Sequence, residues 1–155
     1  MNAKELRIGN IVAHDDYSGH YFKIIGIEQI NQEGRAYYAI NTEGGKNGYW
    51  ANPDELVNPI PLTELILFKC GFQKWRNSKS EYCIEIAEKF SFIITAHTPF
   101  DNNITMIAAC RISIQPYEDE EIVNAIYVHI EHLHELQNLF YTVTGRELEV
   151  DLPIS

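Results

Sequence analysis

Basic side chains are scarce in this sequence. Of its 155 residues, 12 are Lys or Arg and 22 are Asp or Glu, which gives a formal net charge of -10 at pH 7. Proteins that bind nucleic-acid phosphates or anionic membranes use clustered Lys and Arg. The densest basic stretch here runs only from Lys69 to Lys79. We therefore expect neither nucleic acid nor a membrane as the partner.

Cysteines and long apolar runs are also few. The three cysteines form no CxxC pair, and an odd number cannot close a disulfide framework, so we expect all of them to be reduced: Cys70, Cys83 and Cys110. The longest uncharged apolar run, Phe90 to Ala96, is far shorter than the roughly 20 residues of a membrane span. The first residues, MNAKELRIGN, lack the apolar stretch of a secretory signal. A cytoplasmic location is expected.

Sequence motifs of catalysis are missing too. The segment TEGGKNG at residues 42–48 lacks the GxxxxGK[ST] pattern of a phosphate-binding loop and indicates a hairpin turn instead. A cysteine could form a nucleophilic pair with His97, but the sequence spacing does not indicate which cysteine would do so. A free cysteine between apolar residues is typical of a core position. These absences favour a protein that is not an enzyme and that uses no cofactor.

What is present is the composition of a folded α+β protein. Hydrophobic residues make up 45% and aromatic residues 12% of the chain, including nine Tyr. Residues 1–61 contain short β segments separated by turn signals, which predict a small SH3-like β-barrel. In YFKIIGIEQI the alternation loses phase after Gly26, which predicts a bulge there.

Residues 62–155 predict a second subdomain, because the prolines between Pro53 and Pro61 interrupt regular structure. It begins with a short helix over Glu64 to Cys70, capped by Thr63 and ended by Gly71. Several β-like segments then predict an antiparallel sheet. A C-terminal amphipathic helix over Leu133 to Val143, ended by Gly145, is expected to cover that sheet.

Three segments carry a resemblance: ELRIGN near the start, PIPLTELILFKCGF in the middle and HELQNLFYTVTGRELE near the end. Together they resemble a family of small uncharacterised proteins encoded by gut anaerobes and by their prophages or other mobile elements. HELQNL, at His134 to Leu139, is the most specific segment. The resemblance implies a mobile-element context, and it carries over no activity and no functional residue.

Aromatic residues on neighbouring predicted strands form the candidate binding surface. They are Tyr37, Tyr38, Tyr49 and Trp50. Small barrels often present aromatic side chains to extended peptides, and alternation along the strands is expected to bury about half of them.

A cluster of histidines and carboxylates offers an alternative, metal-binding hypothesis. Its histidines are His129, His132 and His134, with Glu131 and Glu135 beside them. HExxH spacing is absent, and a change from strand to helix near His132 would send the side chains in different directions. We interpret them as surface and junction histidines, with His134 pointing away from the leucine stripe of the helix.

The leading functional hypothesis is a non-enzymatic protein-binding or adaptor module of prophage or mobile-element origin, with an unidentified protein partner. Two hypotheses from other classes stand beside it. One is a nucleic-acid-linked regulator or acidic DNA mimic, which would align its carboxylates in rows on one face. The other is a metal-dependent hydrolase that uses the C-terminal histidines.

Overall fold

The computed structural model describes the backbone of residues 5–14, 20–32, 35–43, 49–51, 57–87, 90–96, 107–114, 122–126 and 128–154. It describes the side chains of residues 5–14, 20–28, 57–87, 90–96 and 128–154. The fold mixes two antiparallel sheets with helices, as the sequence predicts. The described parts divide into two compact units: residues 1–60, 132–147 and 152–155 in the first, and residues 61–131 and 148–151 in the second.

The first unit contains a five-stranded sheet in the order β4-β3-β2-β1-β5. Its strands are β1 (Ile11–His14), β2 (Tyr21–Gln32), β3 (Arg35–Glu43), β4 (Tyr49–Ala51) and β5 (Val57–Asn58). All neighbours are antiparallel, and the register of β2 against β3 shifts between Ile24 and Gly26, so the predicted bulge is confirmed. Among the described strands, β4 and β5 are the two edges and do not pair with each other.

The second unit contains the other five-stranded sheet, in the order β10-β9-β8-β7-β6. Its strands are β6 (Gln73–Lys74), β7 (Glu81–Ala87), β8 (Phe90–Ala96), β9 (Ile107–Ile114) and β10 (Ile122–Ile126). Helix α1 (Glu64–Lys69) precedes them, and the Thr63 hydroxyl accepts a hydrogen bond from the Ile66 amide at 3.1 Å, as a capping residue should. Gly71 has a φ of 83° and lets the chain leave the helix, as predicted.

Helix α2 (Leu133–Thr144) ends at Gly145, whose φ of 69° confirms the predicted stop signal. Its place in the fold differs from the sequence-based division into residues 1–61 and 62–155, because α2 belongs to the first unit and packs against β1. An apolar stripe shows that a helix covers a sheet, but it does not say which sheet. That choice depends on polar side chains of α2, described below.

The core of the first unit is built from Leu6, Val12, Ile24 and Val57, with Phe22 and Ile27 packed against it. In the second unit, Phe72 and Phe92 are fully buried and meet edge to face, with ring centroids 6.2 Å apart. Strand β8 is central in its sheet, and its residues from Ser91 to Ile94 are all buried. This strand therefore has packed neighbours on both faces.

Candidate binding pocket

One face of the second sheet carries polar side chains that the strand register brings together. Gln73 lies opposite Cys83, and Glu85 lies opposite Ser91. Residues directly opposite one another in an antiparallel pair share a face, as do alternate residues of one strand. Gln73, Cys83, Glu85 and Ser91 therefore share one face, although they come from three strands.

The other face of this sheet is closed by a network that joins α1 to β6 and β7. The Lys74 ammonium lies 2.6 Å from Glu64 Oε1 and donates to the Tyr82 hydroxyl at 2.6 Å, and that hydroxyl donates to Glu64 at 3.0 Å. Hydrogen bonds from Lys74 and Tyr82 lower the pKa of Glu64. Burial alone would lower the pKa of Lys74, but the hydrogen bonds that Lys74 makes to Glu64 and Tyr82 outweigh this effect, so its pKa is raised. The network therefore favours the charged forms of both Glu64 and Lys74 on this face.

A cavity of about 170 Å³ opens on the first face. We call it the β6–β8 pocket, and its lining is Gly71, Gln73, Trp75, Cys83, Ile84, Glu85, Phe90 and Ser91. Ser91 is a buried residue, and its side chain makes no hydrogen bond within the described residues. The side chains of Gln73 and Glu85 likewise make no hydrogen bond or ion pair within the part of the chain that the structure describes. The pocket thus offers unused hydrogen-bonding groups beside aromatic rings.

Trp75 reaches the pocket from the tight turn between β6 and β7. The central residues of the turn have positive φ, 46° at Arg76 and 60° at Asn77, and the Ser78 amide closes it by donating to the Trp75 carbonyl at 2.7 Å. Positive φ is uncommon for a residue such as Arg76. The Arg76 guanidinium lies over the Trp75 ring, 5.1 Å from its centroid. The turn therefore fixes the buried indole against the sheet.

The two described cysteines of this unit, Cys70 and Cys83, are packing groups rather than nucleophiles. Cys70 and Cys83 are free thiols, in agreement with the prediction for these two residues. Burial raises the pKa of Cys70 to about 12 and also raises the pKa of Cys83. A raised pKa keeps a thiol protonated and unreactive at neutral pH. His97 and the Cys110 side chain lie outside the described residues.

The predicted aromatic surface is described only by its backbone. Tyr37 and Tyr38 lie in β3, and β4 places Trp50 opposite Asn41 and Tyr49 opposite Thr42. The side chains of these four residues lie outside the described part of the structure. Adjacent positions of a strand belong to opposite faces of its sheet, so the positions of Tyr49 and Trp50 do not share one face.

The histidine cluster does not assemble as a metal site. Among the described residues, which include the whole cluster, no three His, Cys, Asp or Glu side chains are placed to hold a metal ion. Nε2 of His129 lies 2.9 Å from Glu131, and Nδ1 of His132 lies 3.4 Å from Glu135, so each pairs with a nearby carboxylate. The two histidines have separate structural partners.

The prediction for His134 is wrong. Only 2% of this residue is exposed, and it is buried together with Leu133, Leu136, Gln137 and Phe140. Its ring stacks on that of His132 with centroids 5.7 Å apart, and neither ring nitrogen has a hydrogen-bond partner among the described residues. Burial lowers its pKa, with a smaller contribution in that direction from His132 and opposition from Glu135 and Glu5. His134 is therefore buried in its neutral form.

Acid should destabilise the protein through His134. The unfolded chain takes up a proton near the ordinary pKa of 6.5, whereas the buried ring resists it until the lower pKa of the folded state. Stability is therefore full above about pH 6.5 and falls as the pH drops toward the folded-state value. We expect His134→Leu to reduce the loss of stability between about pH 7.5 and about pH 5.5 in urea unfolding. Thr142→Ala, an exposed change on the same helix that removes no titratable group, should keep the wild-type dependence. An unchanged dependence in His134→Leu would contradict the assignment.

Sequence analysis missed a polar cluster that ties α2 to the N-terminal segment; we call it the Arg7 clamp. The Arg7 guanidinium makes two hydrogen bonds to the Glu147 carboxylate, at 2.6 and 2.8 Å, and a third to Asn138 Oδ1 at 3.0 Å. It also lies over the Tyr141 ring, 4.4 Å from its centroid. Such bidentate arginine contacts fix geometry as well as adding energy.

Two amide side chains of α2 complete the attachment. Gln137 accepts a hydrogen bond from the Ile11 amide at 2.9 Å and donates to the Gly9 carbonyl at 3.3 Å. Asn138 accepts from Asn10 at 3.0 Å and donates to the Glu5 carbonyl at 2.8 Å. The segments ELRIGN and HELQNL are thus hydrogen-bonded to each other. One sequence does not show that two segments so far apart in the chain meet in the fold.

Comparison with known proteins gives no relative: no family model, no curated protein and no solved structure matches this chain. Within the described ranges, no helix has the length and apolar character needed to cross a membrane.

Proposed function

We propose that this protein is a non-enzymatic protein-binding or adaptor module that holds a side chain of its partner in the β6–β8 pocket. The observation that carries the proposal is the cavity itself, which Ser91 lines beside Gln73 and Glu85, while all three side chains lack partners among the described residues. Unpaired polar groups that converge in a concave site beside aromatic rings are typical of a ligand-binding pocket.

The size of the pocket supports a side chain rather than a cofactor as ligand. Its volume of about 170 Å³ is below the roughly 300–1,000 Å³ of sites for drug-sized ligands. Aromatic rings beside a few polar groups are typical of the positions where interfaces concentrate binding energy. The buried Trp75 and the exposed Phe90 supply such rings here.

A second surface belongs to the same proposal. The strand order β5-β1-β2-β3-β4, with β5 returning to pair with β1, supports an SH3-like arrangement of the first sheet. In it, β4 with Tyr49 and Trp50 is an edge strand, and sheet edges and small-barrel aromatics are used to bind extended peptides. Tyr37 and Tyr38 lie on the neighbouring strand β3.

The biological setting is proposed from the resemblance of the three sequence segments. It supports an origin in a prophage or other mobile element, and the location proposed with it is cytoplasmic. The partner would then be a protein of the host cell or of the element itself.

The test selects peptides that bind the purified protein from a random displayed library and then compares variants. Cys83→Met places a larger side chain in the pocket wall, whereas Leu65→Met changes an exposed residue of α1 in the same unit. We expect Cys83→Met to weaken the affinity of the selected peptides by at least about tenfold, or about 1.4 kcal/mol. Leu65→Met should leave their affinity unchanged.

Trp50→Ala separates the two surfaces in the same assay. Peptides that lose binding with Trp50→Ala but not with Cys83→Met would assign binding to the first sheet. A library that yields no enriched peptide, or peptides insensitive to both changes, would contradict the proposed function.

A further inference from the structure

We infer that the β6–β8 pocket selects a cationic side chain, lysine or arginine, presented by a basic segment of the partner protein. This inference rests on the proposed function and specifies the chemistry of its ligand. It is carried by the charge of the pocket, by its aromatic rings and by the engagement of Lys74 on the opposite face of the sheet.

Glu85 gives the pocket its charge. Among the described lining residues, it is the only ionisable acid or base apart from the Cys83 thiol, whose pKa is raised by burial. No cation of the described chain pairs with the Glu85 carboxylate. Gln73 Oε1 and Ser91 Oγ add neutral acceptors on the same face, and an ammonium or guanidinium carries only donors. The polar groups of the pocket therefore complement a donor-rich cation.

The aromatic rings that line the pocket also favour a cation. Indole and phenyl rings attract cations to their faces, with Trp the strongest of the side chains. Trp75 already takes the Arg76 guanidinium at 5.1 Å, and Arg76 is not part of the pocket lining. A second cation can therefore approach the Trp75 and Phe90 rings from inside the pocket.

The lysine of β6 does not neutralise this site. Lys74 neighbours Gln73 in β6 but belongs to the opposite face of the sheet, where it is bound to Glu64 and Tyr82. The net charge of -10 adds a general attraction for a basic partner and should speed its association at low salt.

The experiment titrates the labelled protein with short Gly-Ser peptides that differ in one central residue, and follows the backbone amides of Gln73, Cys83 and Ser91 by NMR. The central residues are arginine, lysine, citrulline, norleucine and glutamate; citrulline and norleucine are the neutral isosteres of arginine and lysine. We expect arginine and lysine peptides to bind at least about tenfold more tightly than the neutral ones. Glu85→Gln should remove that preference, while Glu149→Gln, an exposed carboxylate of the same unit, should keep it.

The salt dependence of the wild-type protein gives a second measurement that needs no variant. Affinity for the arginine peptide should fall as ionic strength rises from about 20 mM to about 300 mM, and affinity for the citrulline peptide should not. Neutral peptides that bind as tightly as cationic ones, with no effect of salt or of Glu85→Gln, would overturn the cationic inference and leave the pocket as a binding site. Peptides that shift none of the three amides would overturn the proposed use of the pocket as well.

Discussion

Phe140→Ala is expected to lower the free energy of unfolding of the first unit by about 3–5 kcal/mol. Phe140 is 4% exposed and lies on the buried face of α2 beside the fully buried Leu133 and Leu136. Truncation removes most of the ring's buried surface and leaves a cavity that the sheet beneath cannot fill completely. Chemical denaturation followed residue by residue in NMR spectra, with Val12 and Ile24 as reporters of this unit, measures the change.

Thr142→Ala provides the matched control on the same helix. Thr142 is exposed, and within the described part of the chain its hydroxyl bonds only to the Asn138 carbonyl one turn earlier. Its replacement should change stability by less than about 0.5 kcal/mol. A change below about 1 kcal/mol for Phe140→Ala would show that the buried face of α2 is wrongly assigned.

Gln137→Met is expected to cost about 1–3 kcal/mol, although methionine has nearly the same length. Gln137 is 1% exposed, and its amide pairs with the Ile11 amide and the Gly9 carbonyl. Methionine fills a similar volume but leaves the buried Ile11 N–H without a hydrogen-bond acceptor. An unsatisfied buried N–H destabilises the folded state by more than a typical hydrogen bond stabilises it. Urea unfolding measures the loss of stability.

Amide hydrogen exchange distinguishes this local effect from general destabilisation. The Ile11 amide should exchange faster in Gln137→Met than the loss of global stability explains. The Ile24 amide, which donates to the Asn10 carbonyl at 2.8 Å, is the internal reference and should follow global stability alone. Equal acceleration at both positions would indicate that Gln137 acts only through packing.

The Arg7 clamp gives a structural role to two segments that lie far apart in the sequence. ELRIGN supplies Arg7, Gly9 and Asn10, and HELQNL supplies Gln137 and Asn138. The two segments attach α2 to β1 and are separated by well over a hundred residues in the chain. These hydrogen bonds help to hold the first unit together.

Features with a local cause were predictable from the sequence. Thr63 and Gly71 bound α1, and Gly145 ends α2, because hydroxyl caps and positive-φ glycines act within a few residues of their own position. The bulge near Gly26 was visible as a break in alternation. The free thiols of Cys70 and Cys83 followed from the number and spacing of the cysteines.

The tertiary structure alone decided which sheet α2 covers and where a pocket forms. Either sheet can bury an apolar stripe. The hydrogen bonds of Gln137 and Asn138 to backbone groups near the start of the chain determine that α2 packs on the first sheet. Burial of His134 follows from that docking. The β6–β8 pocket depends on the register of three strands, which sets Gln73, Cys83 and Ser91 on one face. Register between distant segments is a property of the folded sheet, since any single strand is compatible with several pairings.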